Sequence, residues 1–415
     1  MRNRIGFSKN NCLFLSKFYP PMLQFVFWTC ISLVLYTYIG YAIVIFILAR
    51  LFPYRNRMKE AYQNSDENNL PSLTLFITAY NESAVIPEKM LNCLALDYPA
   101  DKLKILWVID GSTDHSHELL KQYPMVEIIN SPLRKGKTAA VNHGMEYVKT
   151  PIVVFSDANC LLNAEALKII AGQFDDPTIG CVSGEKRVAF SDDDTVSSKG
   201  EGAYWKYESL LKELDFKFYS AVGAAGELFA IRTVLFAVME EDTLLDDFML
   251  SMRIAQNGSR IAYTADAYAV EYGSLNMEEE GKRKRRIAAG GWQSIGRLLP
   301  LLNGYKFGKL TFQYISHRVL RWSVTPFALF ALLPLSAVLG YWSSSLLNVF
   351  NVIFWLQCLF YICALLGYAT KDDPNSYKVF YIPYYFLFMN MNVIRGIYYL
   401  FNRGFIGGWE KSQRK

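Results

Sequence analysis

Apolar positions are spread unevenly along this chain. No charged residue interrupts the run from Pro21 to Ala49. A hydrocarbon layer about 30 Å thick takes roughly 20 apolar residues in a helix, so residues 22–50 predict a membrane span, with Met22–Leu48 as its apolar body. The run is too long for the apolar part of a cleaved signal peptide, and no small-residue cleavage site precedes Arg50. Three further candidates lie late in the chain: Trp322–Trp342, Leu346–Ala369 and Lys378–Phe401. The first two are uncharged. The third carries Asn390, Asn392 and Arg395 and reads as a transmembrane or re-entrant helix with its polar groups turned toward protein. Between the ends, over residues 53–290, the pattern changes. Short β-rich runs at Leu73–Thr78, Leu103–Ile109, Val126–Ile129 and Ile152–Phe155 alternate with helical stretches at Val85–Leu96, Ser116–Lys121 and Thr138–Val148. That alternation predicts an α/β domain built on a parallel, doubly wound sheet. Over residues 291–320, aromatic and aliphatic side chains interleave with Arg297, Lys306 and Lys309, which suits an amphipathic segment lying in the membrane interface. The tails, 1–21 and 402–415, are assigned no element.

Composition and charge narrow the class. Of 415 residues, 52% are hydrophobic and 15% aromatic, which excludes a disordered or collagen-like chain. The net charge of +5 is too mild and too dispersed for a nucleic-acid partner, and contact with membrane lipids accounts for it. Seven cysteines without a Cys-x-x-Cys pair suggest neither a disulfide framework nor a thiolate zinc site. Arg50, Arg55, Arg57 and Lys59 follow the first span, and Arg318 and Arg321 precede the second. By the positive-inside rule both sets place the middle domain in the cytoplasm of a plasma or inner membrane. Basic residues in both tails (Arg2, Arg4, Lys9 and Lys17; Arg403, Lys411, Arg414 and Lys415) conflict with four spans and leave the side of the termini open.

In open α/β sheets ligands bind at the carboxyl ends of the strands. The first run ends in Thr78-Ala79-Tyr80-Asn81-Glu82-Ser83, the second in Asp110-Gly111-Ser112-Thr113-Asp114, and the fourth in Ser156-Asp157-Ala158-Asn159. Glu82 and Asp110 suit a base or ribose. Asp157 and Asn159 offer hard oxygen ligands to Mg²⁺ or Mn²⁺ together with diphosphate oxygens. Each segment alone is ordinary turn chemistry; three on one sheet edge point to a nucleotide site. Lys135-Gly136-Lys137-Thr138 ends like a P-loop but has Ser131 where that motif needs glycine, so only Lys137 is kept as a phosphate contact. Gly223-Ala224-Ala225-Gly226 lacks the spacing of a dinucleotide fingerprint, and His115 and His117 have no companions for zinc. Asp246-Asp247 opens a helix. The plain reading is favourable charge at the positive end of the helix dipole; the sharper one is a general base acting on a sugar hydroxyl. Lys282–Arg286, following Glu278-Glu279-Glu280, reads mainly as a solvated charged face, with contact to anionic headgroups or a diphosphate as the sharper alternative.

These residues carry a resemblance. AYNES, VIDGSTD, RKGKTAAVN, VVFSDAN, AVGAAGELFAIR and LLDDFMLSMRIAQNGSRIAY occur in the order found in membrane-embedded family 2 glycosyltransferases, the group containing cellulose, hyaluronan and poly-N-acetylglucosamine synthases. The resemblance covers roughly residues 71–291 and the flanking spans. It implies a glycosyltransferase A-type, Rossmann-like nucleotide-sugar-binding fold flanked by transmembrane helices. It implies a donor that is usually a UDP-sugar, with Ala79, Tyr80, Glu82 and Asp110 holding the nucleoside. Lys137 would lie near the diphosphate, and Asp157 would hold a Mg²⁺ or Mn²⁺ ion and the diphosphate. Asn159 stands where the family has the last Asp of its Asp-x-Asp. Leu245-Asp246-Asp247 replaces the family's Thr-Glu-Asp, making Asp247 the base, with Asp246 beside it. The family's Gln-x-x-Arg-Trp falls on Arg283–Ile287, where only Arg286 is kept. Because that segment helps hold the acceptor in processive members, its change bears on polymerisation and export rather than on sugar transfer. The implied activity is direct, inverting transfer to a polysaccharide or lipid-linked saccharide. The alternatives are a single transfer onto a lipid and, in another class, a catalytically inactive nucleotide-sugar-binding protein, which donor hydrolysis separates.

Overall fold

The computed structural model describes residues 9–54, 69–189, 196–274, 276–342, 345–371 and 377–402. The uncharged N-terminal run forms one rod: α1 (Lys9–Leu35), a π turn (Tyr36–Gly40) and α2 (Tyr41–Leu51). Among the described residues three helices are long and apolar enough to cross a membrane: Pro21–Leu51, Val324–Tyr341 and Val349–Ala369. Of the basic residues used to orient the domain, Arg55, Arg57 and Lys59 fall outside the described residues, as do Arg2, Arg4 and the C-terminal set.

The soluble domain is built on an eight-stranded sheet in the order β3-β2-β1-β4-β7-β6-β8-β5. Its strands are β1 (Leu73–Ala79), β2 (Leu103–Asp110), β3 (Val126–Ser131), β4 (Ile152–Asp157), β5 (Leu161–Leu162), β6 (Ile179–Ala189), β7 (Leu228–Arg232) and β8 (Arg260–Tyr272). β3, β2, β1 and β4 are parallel, with Ala79 opposite Ile109, Thr78 opposite Asp157 and Asp110 opposite Ser131. This register aligns the polar strand ends on one edge. Central β1 is apolar on both faces because helices cover both; Leu75, Ile77 and the neighbouring Trp107 are fully buried.

The rest of the sheet corrects the wholly parallel expectation. The segment after Phe218 reaches the sheet at the carboxyl end of β4, where Leu228 pairs with Ser156. β7 begins there and must run back, antiparallel to β4 and β6. β6 and β8 are parallel, and short β5 is antiparallel to β8.

The helices of the domain are α3 (Ile86–Leu94), α4 (Ser116–Leu120), α5 (Lys137–Met145), α6 (Ala166–Gln173), α7 (Val196–Phe218), α8 (Asp246–Gln256) and α9 (Met277–Arg297). Asn276 caps α9 by accepting from the amides of Glu278 and Glu279. α9 runs through the expected domain boundary at 290. The expected interfacial helix is broken into a 3₁₀ turn (Leu299–Leu302), α10 (Gly304–Phe307), α11 (Lys309–Tyr314), a π turn (Ile315–Val319) and α12 (Leu320–Trp322). Pro300 and Gly308, the latter at φ 49°, stop a single helix from forming. Leu299 and Tyr305 project outward, whereas Leu301, Leu310 and Tyr314 are buried.

α13 (Val324–Tyr341), α14 (Val349–Ala369) and α15 (Lys378–Asn402) complete the chain. α15 is one continuous helix, with Pro383 inside it, and lies along α9. A Cβ on Gly396 would stand 2.5 Å from the Ala288 Cβ, so only glycine allows this approach. Asn390 and Asn392 turn inward, 3% and 1% exposed.

Candidate active site

The polar ends of β1 and β2 are tied together by their own side chains. Asn81, at φ 52°, receives the Thr113 amide on Oδ1 (2.8 Å) and sends its own amide to Ser112 Oγ (2.9 Å). The Glu82 amide bonds Ser116 Oγ, and the Ser83 amide bonds Asp114. Partial burial alone would raise the Asp114 pKa, but donors from Ser116 and Ser83 hold it near 2. Ala79 is buried at the end of β1, and the Tyr80 ring lies 3.7 Å from the Arg134 guanidinium. That stacked pair flanks the edge where a nucleoside was expected.

Asp110 is 5% exposed and accepts the amides of Lys135 and Gly136, both at 2.8 Å. It therefore holds the loop that delivers Lys137 rather than standing open to a base.

Lys137 is the hinge of the site. Its Nζ lies 2.7 Å from Asp157 Oδ1 and 3.8 Å from Asp246 Oδ2. Burial opposes its charge, but the carboxylates of Asp157, Asp246 and Asp247 outweigh that and hold its pKa above the usual lysine value. Asp246 and Asp247 form the first turn of α8. Burial, and then the charge of Asp246, push the Asp247 pKa up to about 7, against the pull of Lys137 and the Phe248 amide. A carboxyl titrating near neutrality is suited to take and give protons at working pH. The preceding loop is built for this approach. Gly223, at φ 86°, leaves room for the Phe248 ring, which a Cβ would meet at 2.2 Å. Ser251 Oγ accepts the Ala224 amide and donates to the Asp247 carbonyl. A Cβ on Gly226 would sit 3.2 Å from Asp247 Oδ2. From α9, Gln293 bonds Asp242 and the Leu244 amide, while Arg297 bonds Asp242 and Thr243, fixing the segment that leads to Asp246.

A divalent ion finds one carboxylate here. Asp157 is partly open, and Mg²⁺-type sites often use one or two carboxylates plus substrate phosphates. The Nδ2 of Asn159 donates to Glu271 (3.1 Å), whose carboxylate also pairs with buried Lys186 (2.6 Å). Among the described residues no cluster of three His, Cys, Asp or Glu side chains forms a closed metal site.

Lys137, Asp157, Asp246, Asp247 and Arg286 all line one cavity of about 540 Å³. Ala79, Tyr80, Glu82 and Asp110 do not; they stay on the sheet edge beyond Lys137. From Asp247 the cavity extends between α7, α9 and α15 to Tyr38 in the π turn of the first membrane helix. One sequence expectation changes here. Arg283 and Lys284 are 5% and 6% exposed, so the basic run faces inward, drawn there by Glu280 at 3.7 and 3.4 Å, rather than forming a solvated face. Arg318 and Arg321, used above to orient the domain, are 7% exposed and pair with Glu208.

Glu208, Lys212 and Asp215 of α7 were missed in the sequence, although their spacing places three charges on one helical face. Asp215 accepts from Tyr41 and stands 2.6 Å from His317, which is 3.2 Å from Glu208 on its other side. This chain of polar groups joins the N-terminal rod to the domain.

Comparison with known proteins agrees with this arrangement. Residues 74–237 match the model of glycosyl transferase family 2. The chain is similar to beta-monoglucosyldiacylglycerol synthase of Synechocystis sp., 26% identical over 238 residues, covering 54% of this chain and 48% of that one. It is also similar to poly-beta-1,6-N-acetyl-D-glucosamine synthase of Staphylococcus aureus, 25% identical over 245 residues, covering 56% and 57%. The chain thus spans about half the length of the curated relatives it matches. Among solved structures, a mannosyltransferase from Pyrobaculum calidifontis in complex with GDP-Man and Mn²⁺ superimposes with a TM-score of 0.67 at 21% identity, covering 91% of this chain and 99% of that one. That likeness shows the A-type glycosyltransferase fold.

Proposed function

This chain carries a family 2 glycosyltransferase domain, and from that premise we propose that it moves one sugar from a nucleotide-activated donor to a hydroxyl of a lipid acceptor, with inversion at the anomeric carbon. One observation carries the acceptor class: a single cavity joins Asp247 to Tyr38 of the first membrane helix and to Ile382, Phe386, Met389 and Val393 of α15. A hydroxyl at Asp247 can therefore belong to a molecule whose apolar part lies among membrane helices. At about 540 Å³ the cavity has the volume of a small-molecule site rather than of a polymer passage.

The donor diphosphate lies between Lys137 and Arg286, with the nucleoside toward Tyr80 and Arg134. Asp247 takes the acceptor proton. The hydroxyl oxygen bonds to the anomeric carbon while the bond from that carbon to the diphosphate breaks, and the electron pair leaves with the nucleoside diphosphate. Lys137 and Arg286 meet the charge that develops on the leaving group. Asp157 would hold Mg²⁺ or Mn²⁺, which when bound supplies Lewis-acid stabilisation to the diphosphate. In this reading the domain faces the cytoplasm, consistent with Arg50 at the end of α2.

The test is release of nucleoside diphosphate by the detergent-purified chain from a panel of UDP- and GDP-sugars with Mg²⁺ or Mn²⁺ and membrane lipid, with product masses recorded. Metal-dependent release that yields one lipid-linked sugar is the expected result. A ladder of products would favour a polymerase, and no release from any donor would leave a nucleotide-sugar-binding protein.

A further inference from the structure

The membrane-facing wall of the cavity holds more buried cation than its own carboxylates balance. One carboxylate, Glu208, serves both Arg318 and Arg321. Arg321 lines the cavity at 7% exposure; its Nη1 bonds Glu208, while Nε and Nη2 reach no hydrogen-bond acceptor. Lys212 lies one helical turn beyond Glu208 on α7. It lines the same cavity at 4% exposure, and no acceptor or carboxylate among the described residues pairs with its amine. Its surroundings are the Trp205 ring at 5.8 Å, the attraction of Glu208, Glu185 and Glu227, and the repulsion of Arg318. Burial, the largest influence, pushes its pKa down. A buried ammonium is costly unless an anion meets it, so this wall is suited to an anionic group.

The position says which anion. Arg318 packs 5.9 Å from the ring of Phe248, the neighbour of Asp247, so the cationic patch adjoins the base. Arg321 lies toward the other end, against the Tyr207 ring at 5.6 Å, and Tyr207 donates to the Tyr38 carbonyl in the membrane rod. Past that point the wall turns apolar with Ile382, Phe386 and Met389. The order along the cavity is therefore base, cations, apolar helices. A hydroxyl, a phosphate ester and a hydrocarbon chain, in that sequence, match it. On the donor side Lys137 is already engaged by Asp157 and Asp246.

We propose that the acceptor is a lipid bearing a phosphate ester, and that Lys212, backed by Arg318 and Arg321, holds that phosphate. This rests on reading the cavity as the acceptor site. The experiment measures retention by the full chain in neutral detergent micelles, using native mass spectrometry. The probes are phosphatidylglycerol, a diacylglycerol with the same chains, and glycerol 3-phosphate, each titrated against wild type, Lys212→Met and Lys212→Arg. Phosphatidylglycerol should bind at least tenfold more tightly than the diacylglycerol. K212M should lose most of that preference and K212R should restore it, with melting temperatures checking that both variants fold. Equal retention of the two lipids by wild type overturns the proposal whether or not a variant folds. So does a folded K212M that keeps the preference. Glycerol 3-phosphate binding as tightly as the phospholipid overturns the lipid half and assigns a soluble phosphate. Because binding is read without donor, lipid retention through Lys212 without sugar transfer would sink the transferase reading alone. Transfer to the diacylglycerol without phospholipid preference would sink this one alone.

Discussion

The two walls of the site are made in opposite ways. The nucleotide edge is assembled from turns that directly follow β1, β2 and β4, each within a few residues of its strand; Asn81, Ser112, Asp114 and Ser116 zip the first two together, and Lys137 holds Asp157 at the third. The membrane-facing wall draws Tyr38, Glu208, Lys212, Arg286, Arg318 and Asn390 from parts of the chain hundreds of residues apart. The first wall is local and rigid, held mostly by backbone amides. The second is long-range and ionic, so its geometry exists only when the membrane helices are in place. In the proposed reaction the nucleoside sits on the first and the acceptor on the second, and the leaving diphosphate lies where Lys137 and Arg286 bring the two together.

The largest effect should come where the walls meet. Asp247→Asn is expected to lower turnover by about 10²–10⁴, the usual cost of losing a positioned base, with donor binding retained in a calorimetric titration. In the wild type, turnover should fall as pH drops through about 7, because the pKa of Asp247 is raised to that value and the base works ionised. The same shift fixes the sign for stability. A carboxyl that binds its proton more tightly folded than unfolded loses stability as pH rises toward 7, so the asparagine variant should melt higher at pH 8 than the wild type.

Glu208→Ala attacks only the ionic wall. It leaves Arg318 and Arg321 buried without their carboxylate, a kind of loss that costs about 3–5 kcal/mol. The expected outcome is a clear fall in melting temperature in detergent. A variant as stable as wild type would mean that this wall is not held by its charges.

Lys137→Met should lower turnover, through the lost contact with the leaving diphosphate, and also move the pH profile. Removing the cation that pulls the Asp247 pKa down moves the acid limb of the profile upward, and each unit costs about tenfold in ionised base below it. An unmoved limb, with turnover merely scaled down, would break the link between Lys137 and the base.

Asp110→Asn is expected to be the mildest. It weakens two amide contacts to the Lys135–Gly136 loop, each worth about 1.5–3 kcal/mol when the acceptor is charged, yet asparagine keeps one acceptor. The donor KM should rise roughly tenfold or less, with kcat nearly kept. A fall in kcat alone would mean that Asp110 acts beyond the loop.

This division also explains what could be read from sequence. Apolar runs placed the three helices long and apolar enough to cross a membrane within a few residues, because such a run leaves little freedom of composition. The four parallel strands and their polar ends were legible for the same reason: period, turn residues and chemistry are local. β6, β7 and β8 were not, since their direction depends on where the segment after α7 meets the sheet. Lys212 and Glu208 carry no local motif; they look like any charged helix face until α9, α15 and the first rod enclose them. Lys282–Arg286 misled in the same way, as a basic run looks solvated until Glu280 is found behind it. Asn159 kept its place in the motif, but Glu271, far along the chain, claims its amide.

The polar contacts between the first rod and the π turn at Ile315–Val319 also have a meaning in time. Tyr36 bonds Ser316, a partner 280 residues later in the chain. At about 5–20 residues per second of synthesis, roughly 15–60 s pass before that partner exists. For that interval Tyr36 waits for Ser316, and Thr37 a little longer for Thr325, whereas Tyr41 can meet Asp215 much earlier, so the first rod is joined to the domain before it is joined to the helices that follow.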